Sequence, residues 1–167
     1  MTSISALGLD VGDRRIGIAG CDGTGLLATG LDTLWRRSRT ADFAALQDWA
    51  QRRRAHYLVV GLPLNMDGSV GFQAKKVKRF AQALGQHLEL PVEFVDERLT
   101  SVQAEANLRA LRRPTRGRDR GAIDREAAAI ILQQWLDRRR HERMQPAAAP
   151  ETELHDSRQK ENHQTIN

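Results

Sequence analysis

Three acidic side chains of this 167-residue chain interrupt apolar contexts. Asp10 lies in ISALGLDVGDRRIGIAG, a run that otherwise reads as buried strand, Glu97 stands near the end of VEFVDER, and Asp124 opens the amphipathic stretch IDREAAAIILQQWLD. A carboxylate in such a setting is costly unless something pairs with it. Asp124 precedes Ala128, Ile131 and Trp135 by 4, 7 and 11 positions, so it shares their helix face and points where that face packs. Brought together, three carboxylates repel one another unless one takes up a proton or a cation joins them. A hard ion, Mg2+ or Mn2+, accepts carboxylate oxygens, and two such ions about 3.5 to 4 Å apart activate water and stabilise a leaving oxygen in phosphodiester cleavage.

Each acid also has a plainer reading. Asp124 in a first helical turn would complement the helix dipole. Asp10, close before Gly12, would suit a turn. Glu97 adjoins Asp96, and because neighbours on a strand face opposite ways, only one of the two joins a given site; alternation alone leaves open which.

The elements that must position these groups follow from periodicity and punctuation. Strand-like runs at 5–10, 15–21 and about 26–34 are separated by VGD and CDGTG, connections short enough for antiparallel hairpins. A helix capped by Thr40 follows, with Phe43, Leu46, Trp49 and Ala50 on one face and Arg52, Arg53 and Arg54 at its C-terminus. YLVVGLP reads as a buried strand, Val77, Phe80, Ala81, Leu84 and Leu88 as a second amphipathic helix, and VEFVDER as a strand after Pro91. Thr100 and Gln103 form a capping box opening a short helix to about 111; RRPTRGRDRG reads as a mobile loop, and a last helix spans about 122–141. The expected fold is α/β, a mixed five-stranded sheet of three antiparallel strands followed by parallel ones, with helices on both faces, the strand pattern of an RNase H-like fold.

Length predicts one domain, 1–144, followed by a disordered polar tail at 145–167 that is net acidic. The body therefore carries more than the whole chain's net charge of +5, dominated by arginine, which suits a nucleic-acid partner. A single cysteine, Cys21, excludes an internal disulfide framework, fits a reducing compartment and reads as a small core residue. No apolar run is long enough to span a membrane, the N-terminus does not read as a signal peptide, and the five histidines lack ligand spacing, so a cytoplasmic protein without zinc is expected.

Three further features are candidates for substrate contact. The loop GLPLNMDGS contains the turn formers Pro63, Asp67 and Gly68, but it follows a parallel strand at the end where open α/β sheets bind ligands, which offers Asn65 and Ser69 to substrate. Arg109, Arg112, Arg113, Arg116, Arg118 and Arg120 flank or fill the basic loop and are the candidates for phosphate contacts, against a simple solvated charge run. Trp35, beside Arg36 and Arg37, is a candidate base-stacking residue, although a tryptophan at a strand end more often packs.

The blocks LGLDVGDRRIGIA, LVVGLPLNMDGSVG, VEFVDERLTS and IDREAAAIILQQWLD, in this order over roughly 6–138, resemble the signature blocks of the YqgF/RuvX family. The resemblance implies an RNase H-like fold, a description as Holliday junction resolvase, and a part in maturing the 5′ end of 16S rRNA in bacteria. It also implies that the acidic triad is Asp10, Glu97 and Asp124, which selects Glu97 over Asp96. Family members often carry lysines in the basic stretch where this chain has arginines.

The sequence reading is therefore a Mg2+-dependent endonuclease, as monomer or homodimer, acting on structured RNA first and branched DNA second. Its rivals are a catalytically idle nucleic-acid binder on the same fold, and an ATP-binding protein of the actin and sugar-kinase type suggested by GLDVG, for which 167 residues are too few to build the two-domain cleft.

Overall fold

The computed structural model describes residues 3–99, 106, 110 and 120–145. Strands β1 (Ala6–Val11), β2 (Arg15–Cys21) and β3 (Ala28–Trp35) pair antiparallel, while β4 (Tyr57–Leu62) and β5 (Val92–Asp96) add in parallel on the other side of β1. The sheet order is β3-β2-β1-β4-β5. Helices α1 (Arg39–Arg53) and α2 (Phe72–Leu88) cover one face, and α3 (Arg120–Met144) covers the other. The expected mixed sheet with helices on both faces is the fold observed.

Alternation along the strands decides which residues meet which layer. Leu7, Leu9, Val11, Ile16, Ile18, Leu58, Val60 and Leu62 join Phe43, Leu46, Val77, Ala81 and Leu84 in one core. The opposite parity gives Ala6, Ala19, Cys21, Val59 and Val95, packed on Ala128, Ile131, Leu132, Trp135 and Leu136 of α3. The second face is lined with small residues because α3 comes so close. A Cβ on Gly8 would lie 2.7 Å from the Leu132 Cβ, and one on Gly30 would lie 2.9 Å from the Arg125 Cβ. Trp135 is fully buried there and satisfies its indole by donating to Glu93 Oε2 at 2.7 Å. Cys21 is the buried core thiol expected of it, and burial raises its pKa.

Several boundaries differ from the sequence reading. Ser38, not Thr40, caps α1: its backbone is extended and its Oγ accepts from the Ala41 N–H at 3.2 Å, leaving Thr40 inside the helix. The same turn buries Asp42, which accepts from Arg36 Nε at 3.1 Å and from the Arg37 N–H at 3.0 Å. β3 starts at Ala28 rather than 26, because Leu26 and Leu27 still belong to a turn in which Asp22 Oδ1 accepts from both their N–H groups. Helix α3 begins at Arg120, two residues before the expected start, and runs on to Met144. Asp124 is thus beyond the first turn, where the dipole reading would have held it. The proposed helix at 100–111 lies outside the described residues except for Ala106 and Ala110, which are helical. Most of the arginine loop and the tail from residue 146 also lie outside them.

Candidate active site

The carboxyl ends of β1, β4 and β5 bring the acidic candidates to one side of the sheet. Asp10 shares its strand parity with Ala6 and Gly8, and so stands on the α3 face, opposite Leu9 and Val11. Its neighbour on β2 is Gly17, and the parallel register that pairs Leu9 with Val60 sets Gly61 beside it on β4. Neither glycine carries a side chain, and the space this leaves is taken by other parts of the chain, the Asp124 backbone over Gly17 and the Ile131 and Glu97 side chains over Gly61.

The other two acids come to those two glycines. Across Gly61, the Glu97 carboxylate leans over β4: a Cβ on Gly61 would lie 2.6 Å from Glu97 Oε1. Across Gly17, a Cβ would overlap the Asp124 carbonyl oxygen, so the second turn of α3 rests directly on β2 beside Asp10. Asp96 and Glu97 point different ways. Glu97 lies on the α3 side, while Asp96 turns to its own Arg98, receiving Nη2 at 2.7 Å and the backbone N–H at 3.0 Å. That pairing holds the Asp96 carboxyl below its ordinary value of 3.8 and raises Arg98.

Asp124 has a partner that the sequence reading passed over. Arg15 Nε donates to Asp124 Oδ2 at 2.6 Å, both side chains being mostly shielded, and the Arg15 guanidinium also lies 5.2 Å from the Trp35 ring centroid. The available signal was alternation, which puts Arg15 on the same face as Gly17 and Ala19. Among the described residues, no three of histidine, cysteine, aspartate and glutamate stand close enough together to hold a metal ion. Asp10, Glu97 and Asp124 are of the donor type that a hard divalent cation takes, and Asp124 is paired with Arg15.

The loop after β4 is tied to itself. Asn65 Nδ2 donates to Ser69 Oγ at 2.9 Å, the Asn65 N–H donates to the Ser69 carbonyl at 3.0 Å, and Ser69 Oγ donates to Asp67 Oδ1 at 2.6 Å. Those bonds keep Asp67 below its ordinary pKa. Arg98 Nη1 also donates to the Met66 carbonyl at 3.2 Å, which fastens the loop to the turn carrying Glu97. Asn65 and Ser69 are exposed in this loop, and each already has a partner within it. Of the six arginines, only Arg120 is described, exposed at the start of α3; Arg109, Arg112, Arg113, Arg116 and Arg118 lie outside the described residues.

A family model described as "RuvX: Holliday junction resolvase" matches residues 4–138. The chain belongs to the RuvX family. That membership places it among nucleases. A RuvX relative from Rippkaea orientalis (strain PCC 8801 / RF-1), named "Putative pre-16S rRNA nuclease", is 61% identical over 140 residues, 84% of this chain and 100% of the relative. One from Crocosphaera subtropica (strain ATCC 51142 / BH68), of the same name, is 57% identical over 84% of this chain and 97% of its own. Among solved structures, "T. thermophilus RuvC in complex with Holliday junction substrate" is similar at a TM-score of 0.57 and 14% identity, over 83% of this chain and 96% of that one. A further "Thermus thermophilus RuvC structure" gives a TM-score of 0.54 at 13% identity, over 83% and 97% of the two chains. At those identities the likeness shows the RNase H-like fold alone.

Proposed function

We propose that this RuvX chain is a metal-dependent endonuclease that trims the 5′ side of a 16S rRNA precursor, with Asp10, Glu97 and Asp124 as its catalytic carboxylates. One observation carries the reading: three acids from distant parts of the sequence come to the α3 side of the sheet, where Gly17 and Gly61 beside Asp10 let the Asp124 backbone and the Glu97 carboxylate approach. The relatives' names favour precursor rRNA as substrate. A net charge of +5 is the balance expected for gripping a phosphate backbone.

In this reading the three carboxylates would hold Mg2+ or Mn2+, which when bound supplies an activated water and neutralises charge on the scissile phosphate. Asp10 and Glu97 approach from the sheet, Asp124 from the helix. Arg15 would hold the Asp124 carboxylate in place on the α3 side of the sheet. Arg109, Arg112, Arg113, Arg116, Arg118 and Arg120 hold the backbone on either side, and Asn65 and Ser69 approach the substrate from the β4 end. The cytoplasm is the compartment in which such an enzyme and its free thiol would work. No described helix is long and apolar enough to cross a membrane.

A four-way DNA junction is the second reading, supported by the family's own description. The deciding experiment offers a precursor 16S rRNA fragment and a synthetic junction, side by side with Mg2+, to the wild-type chain and to Asp10→Asn. RNA cleavage lost in the variant supports the maturation nuclease, and paired symmetric nicks in the junction support a resolvase. Silence on both substrates favours the idle binder. A resolvase of a two-fold junction must also act as a two-fold dimer, so sedimentation in the presence of the junction checks the same choice.

A further inference from the structure

Trp35 is the last residue of the edge strand β3 and the cross-strand partner of Arg15, so it stands on the same face of the sheet as Asp10 and Gly17. It is 57% exposed. The other two tryptophans are used differently: Trp135 is buried with its indole N–H satisfied, and Trp49 packs against the α1 core. What touches the Trp35 ring is the Arg15 guanidinium, 5.2 Å from the centroid, and the same guanidinium donates to Asp124 at 2.6 Å. The ring and a proposed catalytic carboxylate are therefore one guanidinium apart.

We propose that Trp35 is a stacking platform for one unpaired nucleobase of the substrate strand, next to the bond that is cut. This rests on the nuclease reading and adds to it a preference for a base free to leave its helix. An open indole face costs free energy in water and gains most from a flat, apolar partner, and a nucleobase supplies one whatever its identity. The interior of a duplex cannot offer that face without unstacking. A single strand or frayed end can. Arg15 supports the ring by a cation–π contact and fixes its distance from Asp124, so a stacked base sets the register of the neighbouring phosphate.

The test measures binding of two short single strands, oligoadenylate and a strand of the same length with abasic sugars, to the chain in an Asp10→Asn background so that neither is cut. Wild-type Trp35, Trp35→Phe and Trp35→Ala are compared, with circular dichroism to verify equal folding. The expected result is binding of oligoadenylate about tenfold weaker in Trp35→Ala, a loss of the size that removing one stacking platform gives, largely restored in Trp35→Phe, with no difference among the three on the abasic strand. Equal binding of oligoadenylate by all three overturns the proposal. So does an equal loss on both strands, which would mean that Trp35 acts only by holding Arg15. If the chain carrying Trp35 binds neither strand, the stacking proposal falls, while the nuclease reading stands or falls separately on cleavage of the precursor 16S rRNA fragment.

Discussion

Arg15 ties the proposed catalytic acid Asp124 to the sheet. It neutralises Asp124, one of the proposed metal-holding carboxylates, at 2.6 Å. Arg15→Ala should therefore lower the Mg2+ concentration for half-maximal cleavage while reducing stability by on the order of 1 kcal/mol, since the pair is shielded but not sealed. Metal titration of activity beside a thermal melt reads both. Asp10→Asn should abolish cleavage and leave the melting temperature equal or higher, because it removes one charge from a set of like charges. Full activity in that variant would remove Asp10 from the chemistry. The charges of Asp10 and Asp124 could be read in the sequence as acids in apolar surroundings. Arg15 was equally visible as one of two arginines after the turn, but nothing local says which acid it meets across 109 residues.

Among the elements, α3 and the turn after β5 do the positioning. Gly17→Ala would place a methyl group against the Asp124 carbonyl oxygen and force the helix off the sheet. A loss of several kcal/mol, in the range of overpacked cores, together with lost cleavage is expected. If instead the variant keeps both, the close approach of α3 does not position Asp124. Ser38→Ala should cost about 1 kcal/mol and Thr40→Ala much less, which a pair of denaturant melts separates. The turn carrying Glu97 is held by Asp96 and Arg98. Asp96 titrates below its ordinary 3.8 when folded, so its contribution is complete above that value and fades as the pH falls through the lower, folded one. Asp96→Asn should flatten the acid limb of a stability profile in that window. Helix periodicity identified the buried stripe of α3 correctly; it misplaced the start by two residues, because a run of arginine and glycine carries no apolar rhythm.

At the scale of the whole molecule, the chain carries a net charge of +5. Replacing Arg116 and Arg118 with alanine should weaken binding to every sequence alike and reduce the slope of log affinity against log salt by about 1 to 2, as the loss of two phosphate contacts would. Binding measured over a salt series checks it. A change confined to one sequence would mean base contacts instead. The two helical layers also divide labour: among the described residues, α1 and α2 cover the large aliphatic side of the sheet, and α3 covers the side with the acids. A defect in the α1 and α2 layer should therefore reach cleavage through overall stability, whereas one in α3 changes the site itself.

The sequence by itself determined the strand order of the hairpins, the alternation that puts aliphatic residues on one side, the small residues that let a helix approach the other, and the acids Asp10 and Asp124 in apolar surroundings. These are local properties, set by spacing of two along a strand and by about 3.6 along a helix. Only the tertiary structure decided that Glu97 rather than Asp96 faces α3, that Gly17 and Gly61 flank Asp10, and that Arg15 holds Asp124 beside an exposed Trp35. Those relations depend on the register between strands and on where a helix more than a hundred residues away comes to rest, and no spacing within one segment encodes them.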